Sequence, residues 1–329
     1  MAMPPDPGPG EVLVKLHAVG ICGSDLHWYL EGGIGSNRAQ YPQILGHEPA
    51  GEILSVGAGV TDCKVGDRVI IEPAITCGYC EFCRSGRHNI CVRSRFMGDP
   101  TTLGLFREYA VVPASSTVRI PDSMDYVKAT VIEPLAVIMH VIEMVQIPVG
   151  STVAVIGAGP IGVLTAAVAR VAGASRIIIA DKVRHRVEQA LKLGADAGVY
   201  LPEEPLVEKV KDLTGGRGAD IVVDAAAKSD TINDGLRITG IGGRFVLIGL
   251  PSERELKIDM HLAMGKELSL QTIKRSNHTA HPAIELLESG KITDALVTHR
   301  LPLAETPRAF QMLTDYTDGV GKVVIEIPS

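Results

Sequence analysis

With 329 residues, of which 46% are hydrophobic and 21% charged, the chain is long enough for two cores, since a single core rarely grows past about 250–300 residues. A net charge of −6 without a long run of either sign argues against nucleic acid or an anionic membrane as partner and points to small molecules. Aromatic residues are only 4%, so the interior must be built from Val, Ile, Leu and Ala, as in parallel sheets covered by helices.

The first ten residues, MAMPPDPGPG, lack the basic and apolar regions of a signal peptide, and no apolar run approaches the roughly 18 residues of a membrane span. The expected address is the cytoplasm, with no membrane partner. Thiols stay reduced there, and clustered cysteines are more often metal ligands than disulfides.

In chain order, Glu11 to Ala18, Gly51 to Val56, Arg68 to Glu72 and Glu108 to Val112 read as short strands between Gly- and Pro-rich turns. No helical pattern of useful length interrupts them, so residues 1–125 are expected to form a compact β-barrel. Two segments inside this region carry borderline metal ligands beside glycine: Ile21 to His27 (ICGSDLH) and Leu45 to Glu48 (LGHE). Cys22, His47 and a carboxylate have the chemistry to hold a zinc ion with its fourth position open to a substrate oxygen. Each is ambiguous alone, because a lone His is more often a core residue than a ligand. Cys63 reads as a small apolar filler before a turn.

Cys77, Cys80, Cys83 and Cys91 follow C-x2-C-x2-C-x7-C, four of the six cysteines in fifteen positions. Four thiolates complete a closed tetrahedral zinc site with no room for a substrate. The stretch therefore predicts a structural metal and not a catalytic one. Further on, Glu133 is an acidic residue in an apolar stretch (IEPL), where the two domains are expected to meet.

Ser151 to Ile156 reads as a buried strand running into Gly157-Ala158-Gly159-Pro160-Ile161-Gly162, a G-x-G-x-x-G turn, with a helix expected over Val163 to Ala172. A second apolar run, Ile177 to Ala180, ends in Asp181, nineteen residues beyond Gly162. Gly157 permits the tight turn, Gly159 lets backbone approach a pyrophosphate, and Gly162 lets helix and strand pack closely. The helix N-terminus then faces the phosphates. Alternation continues with helices at Val183 to Leu193, Leu206 to Leu213 and Thr231 to Ile238, and strands at Asp220 to Ala225, Arg244 to Leu250 and Leu268 to Ile273. Such alternation predicts a doubly wound sheet over residues 126–275. Helices at Pro282 to Ser289 and Glu305 to Asp315 and a strand at Lys322 to Ile327 form a tail, residues 276–329, expected to return to the first domain. His299 is expected to be a core or interface residue.

GICGSD, GHEPAG, KVGDRV, the four-cysteine lobe, IEPLAV and GAGPIG occur in an order and at intervals that resemble the zinc-containing medium-chain dehydrogenase/reductases over nearly the whole chain. Glu133-Pro134-Leu135 is similar to the sorbitol and other polyol dehydrogenases and to butanediol dehydrogenases. The resemblance implies an α/β fold, with a GroES-like β-barrel catalytic domain plus a doubly wound Rossmann NAD-binding domain. It implies Cys22, His47 and Glu48 as direct ligands of a catalytic zinc, with Glu133 close by or bound through water. Ser24 and His27 would pass a proton outward, and Arg275 would contact a substrate hydroxyl.

The implied reaction moves a hydride from a secondary alcohol, a polyol or vicinal diol, to NAD, giving a ketone, with two zinc ions per chain. A threonine 3-dehydrogenase-like or other alcohol dehydrogenase activity is the nearest alternative; a zinc hydrolase and a non-catalytic NAD sensor belong to different classes. Asp181 favours NAD, because its carboxylate accepts from ribose hydroxyls and repels a 2′-phosphate. Lys182 and Arg184 beside it pull the other way. Arg186 is expected against adenine, and Ile248 and Leu250 are further expected cofactor contacts. Trp28 and Ser276 stand where sorbitol dehydrogenases tend to have Tyr, which alters the pocket wall. Relatives usually carry more chain before a segment like Pro7 to Glu11, so an initial strand pair is expected to be missing and the barrel edge exposed or covered by a partner. Relatives are commonly dimers or tetramers, so a homo-oligomer is expected.

Overall fold

The computed structural model describes residues 6–328; Met1 to Pro5, half of the stretch read above for a signal peptide, lie outside them. The chain divides into two compact units. One holds residues up to Ala136 with Ser276–Gly290 and the segment from Val297 onward; the other holds Val137–Arg275 and Lys291–Leu296.

The first unit is organised around strand Glu11–Gly20, whose Val12, Val14 and Leu16 are fully buried. It pairs antiparallel with Glu48–Val56, Tyr109–Pro113 and Lys322–Glu326. The sheet extends through Arg68–Ile71 and Thr117–Arg119 on one side and Val297–Pro302 on the other, seven strands in all. Two register shifts against Glu48–Val56, at Leu13/Val14 and Leu16/Ala18, mark irregularities that bend the ladder. One core cluster gathers Val12, Leu16, Ile53, Ile71, Met97 and Leu105; another joins Ile21 to Phe310, Leu313 and Val323.

The expectation of no helix within the first 125 residues is corrected here. Gly23–Glu31 is an α-helix, begun by Cys22, whose backbone N–H donates to Asp25 Oδ2 at 3.0 Å, and ended at Gly32 with φ 62°. Only Asp25 and Trp28 of its nine residues are buried, so it displays no apolar stripe in the sequence. Ile132–Val145, which begins beside Glu133, is a fourteen-residue helix. The first unit also continues past residue 125, because helix Tyr126–Ala129 packs on strands Glu11–Gly20 and Glu48–Val56.

The second unit is a six-stranded, wholly parallel sheet in the order Ala197–Tyr200, Arg176–Asp181, Thr152–Ile156, Ala219–Asp224, Thr239–Leu247, Ser269–Thr272. The chain order reverses at Thr152–Ile156, and open α/β sheets bind ligands beyond the carboxyl ends of strands at such a switch point. The fifth strand stops at Leu247 and not at Leu250: the N–H groups of Ile248 and Gly249 both donate to Asp224 O at 3.0 Å, which draws the chain out of the ladder. Among the described residues, no helix is long and apolar enough to cross a membrane.

Candidate active site

Cys22, His47 and Glu48 come from two places in the first unit: Cys22 caps helix Gly23–Glu31, while His47 and Glu48 lead into strand Glu48–Val56. Their ligand atoms all lie within 4.8 Å of one another. Side-chain-free Gly20 makes this possible, because a Cβ there would collide with Glu48 Oε2. His47 and Glu48 are 5% and 1% exposed, so the trio is deep. One thiolate, one imidazole and one carboxylate are a zinc donor set with a position to spare.

Asp25 holds this group in place. Its Oδ2 accepts from Cys22 N and its Oδ1 from Gly46 N, both at 3.0 Å, and Oδ1 lies 3.4 Å from His47 Nδ1. That contact fixes the ring and leaves Nε2 for a metal, the carboxylate–histidine arrangement of metal sites. Ser24 Oγ stands 3.4 Å from Nε2. Burial alone would lower the pKa of His47, but Asp25 and Cys22 hold it well above the ordinary value. The same anionic field favours a divalent cation. Burial works against the Asp25 carboxylate, yet His47 and the two backbone donors keep its pKa below the usual range.

Behind Glu48 lies Lys322, 1% exposed, whose Nζ meets Glu48 Oε2 and donates to Ile21 O at 2.9 Å. Burial disfavours its charge, but Glu48, Cys22 and Glu133 raise its pKa. Glu133 stands outside the cluster of three ligand atoms. It is near enough to feel them: burial, then Glu48 and Asp25, push its pKa to about 7 against the pull of His47 and Lys322. His27 pairs through Nδ1 with Glu31 Oε1 at 2.9 Å, with 27% of its side chain exposed, so Ser24 faces His47 while His27 faces Glu31. Arg275 has a left-handed backbone, φ 59°.

Sequence reasoning assigned no role to Asp25 or Lys322. Asp25, three residues after Cys22, occupies a capping-box position, a usable signal. Lys322 had none beyond being a cation in the apolar strand KVVIE.

The cysteine lobe has a different character. Sγ–Sγ separations are 3.6 Å for Cys77–Cys91, 3.9 Å for Cys80–Cys91 and 4.0 Å for Cys77–Cys83. A tetrahedron of sulfurs about 2.3 Å from zinc has edges of about 3.8 Å. No disulfide links these cysteines. Backbone N–H groups of Cys80 and Arg93 point at Cys77 and Cys91 sulfurs, each at 3.4 Å, and N–H donors led by that of Tyr79 draw the Cys77 pKa down to about 6. All four vertices are protein atoms, so the site is closed.

In the second unit, the Gly-rich turn follows strand Thr152–Ile156. Gly157 has φ 99°, and a Cβ on Gly162 would collide with Gly157 O. Pro160 opens helix Pro160–Val171, with Ile161 and Gly162 in its first turn. Asp181 ends its strand 7% exposed and accepts from Ala158 N at 2.7 Å and Val183 N at 2.8 Å. It therefore braces the turn. Arg186 Nη1 lies 3.7 Å from where a Gly159 Cβ would be. Arg184 is engaged elsewhere, 4.1 Å over the Tyr200 ring and paired with Glu203. Ile248 is half-buried and Leu250 is 51% exposed, just beyond the strand's carboxyl end.

These features coincide with family matches. Residues 8–122 match the alcohol dehydrogenase GroES-like domain, and residues 160–289 match the zinc-binding dehydrogenase domain. A sorbitol dehydrogenase of Bacillus subtilis is 38% identical over 98% of this chain and 91% of its own. An L-threonine 3-dehydrogenase of Bacillus velezensis is also 38% identical, over 96% of this chain and 91% of its own. A zinc-binding dehydrogenase from Sinorhizobium meliloti, solved bound to NADP, superposes with a TM-score of 0.90 at 32% identity, covering 98% of this chain and 93% of its own. Two relatives of different substrate at equal identity locate the chain by family and not by substrate. It belongs to the zinc-containing medium-chain dehydrogenase/reductases, as an enzyme similar to the sorbitol dehydrogenases.

Proposed function

We propose that the protein is an NAD-dependent dehydrogenase that oxidises secondary alcohols of the polyol or vicinal-diol type to ketones, at a zinc held by Cys22, His47 and Glu48. The observation that carries this reading is the trio of one thiolate, one imidazole and one carboxylate within 4.8 Å, with His47 and Glu48 buried, braced by Asp25 and backed by Lys322. When bound, zinc supplies Lewis acidity at the carbinol oxygen and the nicotinamide accepts the hydride.

The chain's own residues do the rest. Cys22 and Glu48 bring two negative charges, and Asp25 keeps His47 oriented. Ser24 Oγ, beside His47 Nε2, is placed to accept the substrate's hydroxyl proton as it gives up its own. His27, partly exposed and paired with Glu31, would carry the proton released by Ser24 to solvent. Glu133, with its pKa near 7, adds a carboxyl group next to the ligands, and Arg275 contacts a second substrate hydroxyl. Gly157 to Gly162 receives the pyrophosphate, with Ile248 and Leu250 beside the dinucleotide. Asp181 selects NAD by accepting from the ribose hydroxyls. We also read the closed lobe of Cys77, Cys80, Cys83 and Cys91 as a structural zinc site, and the active form as a homo-oligomer.

A panel of sorbitol, xylitol, 2,3-butanediol, threonine and ethanol, assayed for NADH formation with zinc-loaded enzyme, tests the proposal. Polyols or vicinal diols should turn over far faster than ethanol. Equal or better rates with ethanol would refute the substrate class, and a complete lack of NAD reduction would return the zinc hydrolase and the non-catalytic sensor to consideration.

A further inference from the structure

The parallel sheet of the second unit has two ends, and the Gly-rich turn occupies one of them, beyond the carboxyl end of Thr152–Ile156. At the opposite, amino end lies a cavity of about 630 Å³, lined by residues at the starts of Ala219–Asp224 and Thr239–Leu247 and by Lys266, just before Ser269–Thr272. Its size falls within the usual span of small-molecule sites. Pro148, Val207, Ile221 and Leu262 give it an apolar wall.

Its charge is one-sided. Five cationic side chains line it, with Asp220 the sole carboxylate in the lining. Arg217 pairs with Asp220 at 3.2 Å and Arg237 with Asp234 at 2.7 Å. The other three have no ion-pair partner among the described residues. Lys266 Nζ donates to the carbonyls of Leu236, Arg237 and Thr239 at 3.0, 2.7 and 2.7 Å. Arg244 Nη1 donates to Gln146 O at 2.9 Å and to Val145 O. Lys211 is exposed, and its ammonium has no hydrogen-bond or ion-pair partner among the described residues. Carbonyls orient a cation without neutralising it. Burial lowers the Lys266 pKa, and the charge of Lys211 lowers it further, so the two ammonium groups are near enough to repel each other. Three uncompensated positive charges around a concave, partly buried volume focus a potential that an anion relieves.

We propose that this cavity binds a phosphate-bearing small molecule, with the phosphate held by Lys211, Arg244 and Lys266 and the organic part against Pro148, Val207 and Leu262. A carboxylate supplies one charge where three are unmatched; a phosphate group supplies nearly two, with three acceptor oxygens for ammonium and guanidinium donors. The site is separate from the Gly-rich turn and does not rest on the reaction proposed above.

Calorimetric titration of inorganic pyrophosphate into the full-length protein tests it. A site is expected that weakens as salt rises, loses at least about tenfold in affinity with Lys211→Gln, and disappears with Lys211→Glu. Both changes are at an exposed side chain, so folding is not at issue. Arg186→Gln, beside the Gly-rich turn, should leave that site intact. The proposal is overturned if pyrophosphate at about 1 mM does not bind, if neither Lys211 variant changes binding, or if binding is lost with Arg186→Gln alone.

Discussion

Lys322 and Glu48 form a buried ion pair, each 1% exposed, directly behind the candidate zinc ligands. A carboxylate removed from water needs a counter-charge, and breaking a buried pair by removing one partner typically costs about 3–5 kcal/mol. Here Glu48 has two such partners in prospect, the lysine and a metal. Lys322→Met should therefore lower the melting temperature strongly in zinc-stripped protein and much less in zinc-loaded protein, where the metal takes over as counter-charge. Thermal melts with and without a chelator check this. An equal loss in both states would show that Glu48 does not meet the metal.

Asp25 reaches three groups of the site, Cys22 N, Gly46 N and His47 Nδ1. Asp25→Asn cannot satisfy both N–H donors and the imidazole together. Zinc affinity and turnover should each fall about 10- to 100-fold, the usual effect of losing a group that orients a ligating histidine. Competition with a chromogenic chelator measures the first and steady-state rates the second. Unchanged zinc affinity would leave Asp25 as a helix cap alone.

The two cysteine-containing sites should fail differently. Cys22→Ser should abolish turnover and lower bound zinc from about two to about one per chain, with the fold retained, because an open site contributes to reaction more than to scaffold. Cys80→Ser should instead lower the melting temperature, since metal binding in a closed lobe is folding free energy. Metal analysis paired with melts separates them. A fully stable but inactive Cys80→Ser protein, beside an active Cys22→Ser protein, would reverse the assignment.

If Asp181 meets the ribose as proposed as well as bracing the turn, Asp181→Ser should do two things. Removing the acceptor and the repulsion should shift preference from NAD towards NADP by about 1–3 kcal/mol in the ratio of kcat/KM values. Freeing Ala158 N and Val183 N, which it holds at 2.7 and 2.8 Å, should also weaken binding of both cofactors. A ratio that does not move would place the ribose elsewhere.

The sequence by itself determined the parts whose signal is local. G-x-G-x-x-G works only as a strand-to-helix turn, so its role is readable from neighbours in the chain. Cys77 to Cys91 closes on itself within fifteen residues, and Sγ separations of 3.6–4.0 Å follow from that short loop. Alternating apolar runs likewise announced the parallel sheet, since strands buried on both faces read as continuous Val, Ile and Ala. Tertiary structure decided what depends on distant segments. Lys322 reaches Glu48 only because the final strand pairs with Glu11–Gly20, a contact 274 residues apart in sequence, and no local pattern announces a partner at that separation. Helix Gly23–Glu31 was hidden for a related reason: it is held by Asp25 capping Cys22 and docking on Gly46, not by an apolar stripe. Glu133 was legible as an unusual acid in an apolar run, but its place beside the ligand trio, and outside it, is a matter of where helix Ile132–Val145 packs. Ligand identity is written in residue types along the chain; which donors converge is settled by the sheet that brings their strands together.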